Sequence, residues 1–354
     1  MAMASKIQLY ATQQPEYYRH GIEQAATDKA SALLQRNHDR HHIFFNRDGF
    51  HDHIAHHVLT LWALRADSSD LQHAYDINAG YQRTLGKLAA TDMHSVEKFK
   101  SYLGKEQYYH DFMVFFQDEM EKTSMPEVVN NTYAHPTTLL QHRRKDCLEP
   151  PGLSTRVKTQ NSAALVPRLL RADDNKFPDG NRNIRKSFAN PNDLKQRNGH
   201  VRKYDFYYMH CVNCSIFLST LLKLDWITDA NKVRLLNWKV WNDLAMYASR
   251  KSPEIRMDLV RQYKPKESSG WDGIFDRVTG LEDDGHASKL VRALAHGQQI
   301  CGAYEDREEF RVKHDDWLLM GHMAIDSVEA GEPHWIRSAG FDEAWESPAL
   351  RAQL

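Results

Sequence analysis

The chain predicts an all-α fold: one helical domain over residues 1–354, with an irregular insertion at 137–203. Three observations carry that prediction. Nearly every patterned segment repeats its apolar residues at offsets of three and four, the spacing of one helix face. Alternating runs bounded by Asn-Gly or Asp-Gly turns are scarce, which argues against hairpins. A chain of 354 residues can bury a core without staples, and its four cysteines are too few for a disulfide scaffold.

Taken in order, Pro15 to about His38 reads as a first helix ending in a polar run. Asp48 to Leu64 reads as a second, with Phe50, His53, Ile54, His57, Val58 and Leu61 forming one stripe. His53 and His57 stand four residues apart in it, so both rings can converge on one point. Further helices are expected at 69–85, 106–121, 204–223, 229–248, 286–298 and 313–329. Asp283 and Asp284 precede the helix at 286 as N-terminal caps. Between His142 and Lys203, 15 Lys and Arg stand against six Asp and Glu, a net of +9. Only Phe177 and Phe188 interrupt the basic run, and no helical stripe is present. A flexible connection is favoured there over a nucleic-acid patch.

Composition excludes several classes. Lys and Arg number 46 against 47 Asp and Glu, a net charge of -1, where a nucleic-acid binder usually has a strongly basic domain. Mean hydropathy is -0.66 and no apolar run approaches the roughly 18 residues of a membrane span. The first residues lack an apolar signal core, so a cytoplasmic location is expected. No Gly-x-Gly-x-x-Gly, P-loop or Gly-x-Ser-x-Gly motif occurs, which disfavours Rossmann, P-loop and α/β-hydrolase chemistry. Cys211 and Cys214 form one C-x-x-C without a second, and read as small residues of a buried helix.

Histidine stands out. There are 20, and His38, His41, His42, His51, His53, His56 and His57 crowd one short stretch. Four apolar helical faces carry histidines: His53 with His57, His210, His286, and His322. Any one is ordinarily a hydrogen-bonded core residue, but several together suggest a metal centre between helices. The Glu-x-x-His pair of di-iron bundles is absent, so an anionic ligand must come from elsewhere. Lys289 lies three residues past His286 on the same stripe. Buried and neutral, its amine can take up carbon dioxide to form an anionic carbamate, although on spacing alone a lysine reaching solvent is the commoner outcome. His322 is a reserve ligand or a supporting group, with Asp326 four residues on as its possible orienting partner.

Five long stretches carry a resemblance: HHIFFNRDGFHDHIAHHVLTLWAL, FYYMHCVNCSIFLSTLLKLDWITDANKVRLLNWK, YKPKESSGWDGIFDRV, LEDDGHASKLVRALAHGQ and WLLMGHMAIDSVEAGEPHWIRSAGFDEAW. They resemble the fungal questin oxidase-like family over roughly 38–135 and 204–346. Its members are described as Baeyer–Villiger-type oxidases that open anthraquinone or related polyketide rings. The resemblance implies a helical non-haem iron oxygenase using Fe(2+) and O2, with NADPH as a further electron donor. It also implies four histidine ligands and a carboxylated lysine. Carried onto this chain, these are His53 or His57, His135, His210 and His286, with Lys289 as the carboxylated residue. The implied substrate is an aromatic polyketide, with Tyr204, Phe206, Tyr207 and Tyr208 as stacking candidates, at most half of which can face inward. One departure stands out. Family members continue from His-Pro into an apolar helix of the form HPLIHLGYG, whereas here YAHPTTLLQHRRKD keeps His135 and Pro136 and places Leu139 at the second histidine. A damaged site in a non-catalytic binding protein, and a metal-dependent hydrolase, are the competing readings.

Overall fold

The computed structural model describes residues 4–133, 202–308 and 310–345. Among them the chain is helical, with only three isolated β-bridges. The helices are α1 Gln24–Arg40, α2 Ile54–Ala63, α3 Ser68–Ala79, α4 Val96–Tyr102, α5 Tyr109–Lys122 and α6 Met125–Tyr133. From residue 202 onward come α7 Phe206–Lys223, α8 Asp229–Ser249, α9 Met257–Arg261, α10 Trp271–Thr279, α11 His286–Cys301 and α12 His314–Glu329. The all-α expectation holds. His135 and all but the last two residues of 137–203 lie outside the described residues.

Several expected boundaries move, each for a local reason. The first helix begins at Gln24 rather than Pro15, because the preceding stretch runs across the end of α2, with the Arg19 amide donating to the Ala63 carbonyl (2.9 Å). The second begins at Ile54 rather than Asp48. Phe44 and His51 pair across a tight antiparallel turn closed by Phe45 N–H to Phe50 O (2.9 Å). The third ends at Ala79 because the following residues pair with the chain leaving α1, with Leu85 N–H donating to Arg40 O (2.7 Å). Helices α4, α6, α9 and α10 were not anticipated. All four are short, and their stripes span too few turns to register as a period.

Two apolar cores result. Ala26, Ala30, Leu33 and Leu34 of α1 meet Ile54, Val58, Leu61 and Trp62 of α2 and Leu71, Ala74 and Tyr75 of α3. Met209 of α7 meets Ile274, Phe275 and Val278 of α10, Leu290, Val291 and Leu294 of α11, and Ala324, Ile325 and Val328 of α12. Helix α11 is the axis of the second core. It packs on α7, α10 and α12, and also on α2 of the first. Ten of its 16 residues are buried, so no face is left for solvent over most of its length. The contact of α2 with α11 brings together the N-terminal ends that carry the histidines.

The last segment is fixed to α7. Asp205 caps that helix through Tyr207 N–H (2.8 Å) and Tyr208 N–H (3.1 Å), while its other oxygen accepts the Ala339 amide (2.7 Å). A parallel bridge joins Asp205 to Ile336, with Phe206 N–H to Ile336 O (2.7 Å) and Ile336 N–H to Tyr204 O (3.0 Å). Among the described residues no helix is long and apolar enough to cross a membrane.

Candidate metal centre

The site grows from two helix starts. Asp52 receives the Ile54 amide (2.8 Å) and so begins α2 one residue after His53, which is buried. At α11 the two neighbouring aspartates divide the work. Asp283 accepts from Gly285 N–H (2.9 Å) and Ala287 N–H (2.8 Å), the expected capping role. Asp284 does not cap. It accepts from Nδ1 of His286 and lies 3.7 Å from Nδ1 of His53. Ligand atoms of His53, Asp284 and His286 all lie within 4.8 Å of one another. Asp284 is the donor that sequence reasoning passed over as a cap; the signal was the carboxylate two residues before His286.

Gly285 makes this turn. Its φ is +90°, and a Cβ there would stand 2.5 Å from Cγ of His57. His57 is therefore held against the turn and does not face Asp284 as His53 does. Its Nδ1 lies 3.0 Å from Nδ2 of Asn78, whose other proton goes to Ala74 O (2.8 Å). Asn78 Oδ1 accepts the Tyr81 hydroxyl, and Tyr81 oxygen in turn meets His53 Nδ1 (3.3 Å). This chain of partners sets the tautomers: His57 accepts at Nδ1, and His53 donates there. The expected convergence of His53 and His57 is thus replaced by a division. His53 faces Asp284 and His286, with the rings of His53 and His286 4.8 Å apart, while His57 sits behind as a positioning group.

His210 arrives from α7. Its Nδ1 donates to Phe206 O (2.6 Å), which leaves the Nε2 lone pair free. His286 Nδ1 is likewise committed, to the Asp284 carboxylate. The two Nε2 atoms then face each other at 3.3 Å with no proton assigned between them. Two lone pairs at that separation repel, and a shared cation relieves them.

The electrostatics keep these rings neutral. Burial, with the Lys289 ammonium adding to it, lowers His57 to about 3. Burial outweighs the Asp284 bond at His286 and takes it to about 4. His53 and His210 are lowered too, in both cases chiefly by burial. Burial works to raise Asp284, but the His286 bond and the charges of His286, His53 and Lys289 hold it below the usual carboxylate range. Half-buried Lys289 stands among these groups, lowered to about 8 by burial against the pull of Asp284 and Asp283. Neutral imidazoles and an ionised carboxylate are the protonation states a divalent ion requires. The donor set therefore fits a metal.

The remaining candidates fall elsewhere. Buried His322 meets Ser269 O through Nε2 (2.7 Å). Asp326 does not orient it: its oxygens are taken by Arg277 (2.6 Å), Tyr263 OH (2.6 Å) and the Lys266 amide (3.0 Å). Of the four aromatic candidates only Phe206 adjoins the site, its ring 4.5 Å from His210 and 5.1 Å from His286. Tyr204 packs on the second core and donates to Met320 O (3.0 Å). Tyr207 lies under the Arg250 guanidinium, and Tyr208 reaches Tyr247 O (3.3 Å). Helix α7 is less buried than its sequence suggested: only Met209 and Ile216 are fully covered, and Cys214 is exposed, not core. A cavity of ≈ 450 Å³ opens over His286 and Phe206 and is lined also by Trp335 and Arg337.

The sequence profile of the questin oxidase-like family matches residues 50–148 and 193–294, more than half of the chain. The chain belongs to the questin oxidase-like family. Oxidoreductase AflY of Aspergillus parasiticus is 28% identical over 94% of this chain and 85% of its own length. The questin oxidase of Aspergillus fumigatus is 27% identical over 99% and 100%, and the Baeyer–Villiger oxidase GME11358 of Pestalotiopsis microspora 28% over 89% and 92%. This questin oxidase-like chain is accordingly an oxidoreductase acting on a small molecule. The family profile breaks between 148 and 193, within the basic stretch where the sequence departs from the pattern.

Proposed function

We propose that this chain is a non-haem iron oxygenase that opens a ring of an anthraquinone-like aromatic polyketide by Baeyer–Villiger-type oxygen insertion. The relatives' names support the reaction class and the substrate class. The observation that carries the metal is the facing pair of His210 and His286 Nε2 lone pairs, 3.3 Å apart, with the Asp284 carboxylate holding the opposite nitrogen of His286. His53, His210 and His286 would hold Fe(2+), with Asp284 orienting the His286 ring through its Nδ1, and a bound ferrous ion supplies activation of O2. His135, outside the described residues, and Lys289, as a carbamate, complete the proposed set.

The protein's own groups do the rest. Tyr81, Asn78 and His57 fix the ring of His53, and the Phe206 carbonyl fixes that of His210. Phe206 and Trp335 offer flat apolar walls for a fused aromatic ring system. Insertion of one oxygen atom leaves the other to be reduced to water, a two-electron demand that NADPH would meet. Metal analysis of anaerobically purified protein tests the reading. One iron per chain is expected, with most of it lost in His210→Ala and in His286→Ala. Full iron in both variants overturns the site, and two zinc ions per chain favour a hydrolase. Oxygen uptake with and without NADPH then decides the electron source.

A further inference from the structure

We infer that Arg337 is the anion-binding determinant of the cavity, so that this enzyme takes planar aromatic substrates bearing a negatively charged oxygen, such as an ionised phenol or a carboxylate. The inference rests on the proposed oxygenase site for its location, but not for its test.

The backbone puts Arg337 there. Ile336 is 2% exposed and bridged to Asp205, so this short extended segment turns Ile336 into the protein. Residues on either side of it in an extended strand point the other way. Trp335 and Arg337 are those residues, and both line the cavity above His286. The Trp335 ring lies 6.3 Å from the His286 ring. The Arg337 guanidinium lies 4.9 Å over the Phe206 ring, whose other ring neighbours are Tyr207, His210 and His286. The guanidinium is thus parked on the aromatic wall that leads to the metal ligands.

Arg337 is exposed, and it is the one arginine or lysine among the residues lining the cavity. Four carboxylates line the same cavity, and each is already engaged. Glu282 meets His73 Nε2 (2.9 Å), and Asp283 is held by two amides of the α11 turn. Asp284 holds His286, and Glu332 accepts the His334 amide (3.0 Å). Among the described residues Arg337 makes neither a salt bridge nor a hydrogen bond; its recorded partner is the Phe206 ring. A guanidinium presents five donors in a plane and matches a bidentate oxygen anion. Stacked on a ring, it keeps those donors free at its edge. The cavity, at ≈ 450 Å³, lies in the usual size range of small-molecule sites. A flat ligand held between Phe206 and Trp335 would bring its charged oxygen to Arg337 and its opposite edge toward His286.

Binding of two probes to the full chain tests this. Anthraquinone sulfonate is permanently anionic, and hydroxymethyl anthraquinone is a neutral molecule of similar size. Both are titrated by tryptophan fluorescence quenching under nitrogen. The wild-type chain is expected to prefer the anion. Arg337→Gln should weaken the anion by about tenfold or more, the scale of a charge-assisted hydrogen bond, with the neutral probe within about twofold. Arg337→Lys should retain part of the preference. Equal losses for both probes, unchanged affinity for the anion, or no binding of either probe to the wild-type chain would each overturn the inference. The readout needs neither iron nor oxygen, so failure of the oxygenase reading shows separately, as absent turnover in a chain that still discriminates the probes.

Discussion

The turn before α11 shows how much one residue can decide. Gly285 combines a left-handed backbone with contact against His57, so a side chain there meets two penalties. Gly285→Ala is expected to lower the unfolding free energy by about 2 kcal/mol from backbone strain, with the steric contact adding to it. Urea denaturation measures this, and the added part should shrink when His57→Ala is combined with it. A loss confined to a few tenths would mean that the turn relaxes freely. The two aspartates beside the glycine mark the limit of sequence reading. Both follow a capping pattern, and nothing in spacing tells which one caps. Only the path of the turn does so, and that path is set by contact with His57 of α2, far earlier in the chain. Likewise His210 and His286 could be picked out from their apolar stripes. His57 could not be separated from His53, because α2 begins after His53 rather than before it.

At the scale of elements, α10 and α12 are joined by a buried ionic strut. Asp326, 3% exposed, receives Arg277, the Tyr263 hydroxyl and the Lys266 amide, while Arg277 also holds Glu329 (2.6 Å). Removing the carboxylate takes a buried acceptor from the Tyr263 hydroxyl and the Lys266 amide and leaves Arg277 with Glu329 alone. Asp326→Ala should therefore destabilise the fold by about 3 kcal/mol, the scale for breaking a buried pair from one side. Iron content of the folded variant should stay at the wild-type value. A loss of iron with unchanged stability would return Asp326 to the metal site. The helices themselves were legible where their stripes ran for three turns or more, as in α1, α7, α11 and α12. Short helices, and the turn at Phe44–His51, were not, because pairing between distant segments decides them. Asp326 four residues after His322 looked like a helix-face pair, yet partners from α10 and the 263–266 loop won it.

For the whole molecule, the neutral buried histidines set the response to acid. His57 at about 3, with His56 and His286 at about 4, take up protons in the folded state well below the ordinary value of 6.5, each chiefly because of burial. The unfolded chain takes them up near 6.5, so it binds more protons throughout the interval between. Stability of the metal-free protein is therefore expected to fall as pH drops from about 6.5 to about 4, as followed by denaturant midpoints. A flat profile across that window would show that these rings are not buried and neutral together. A bound cation excludes protons from the same rings, so with iron bound the fall should continue below about 4.

The centre lies across the seam between the two cores: His53 comes from the side of α1 to α3, while His210, Asp284 and His286 come from the side of α7 to α12. Neither body owns a full set of donors. A nascent chain leaving the ribosome thus holds no competent pocket until its final third has folded back and docked, and any reaction at the site waits for the finished enzyme.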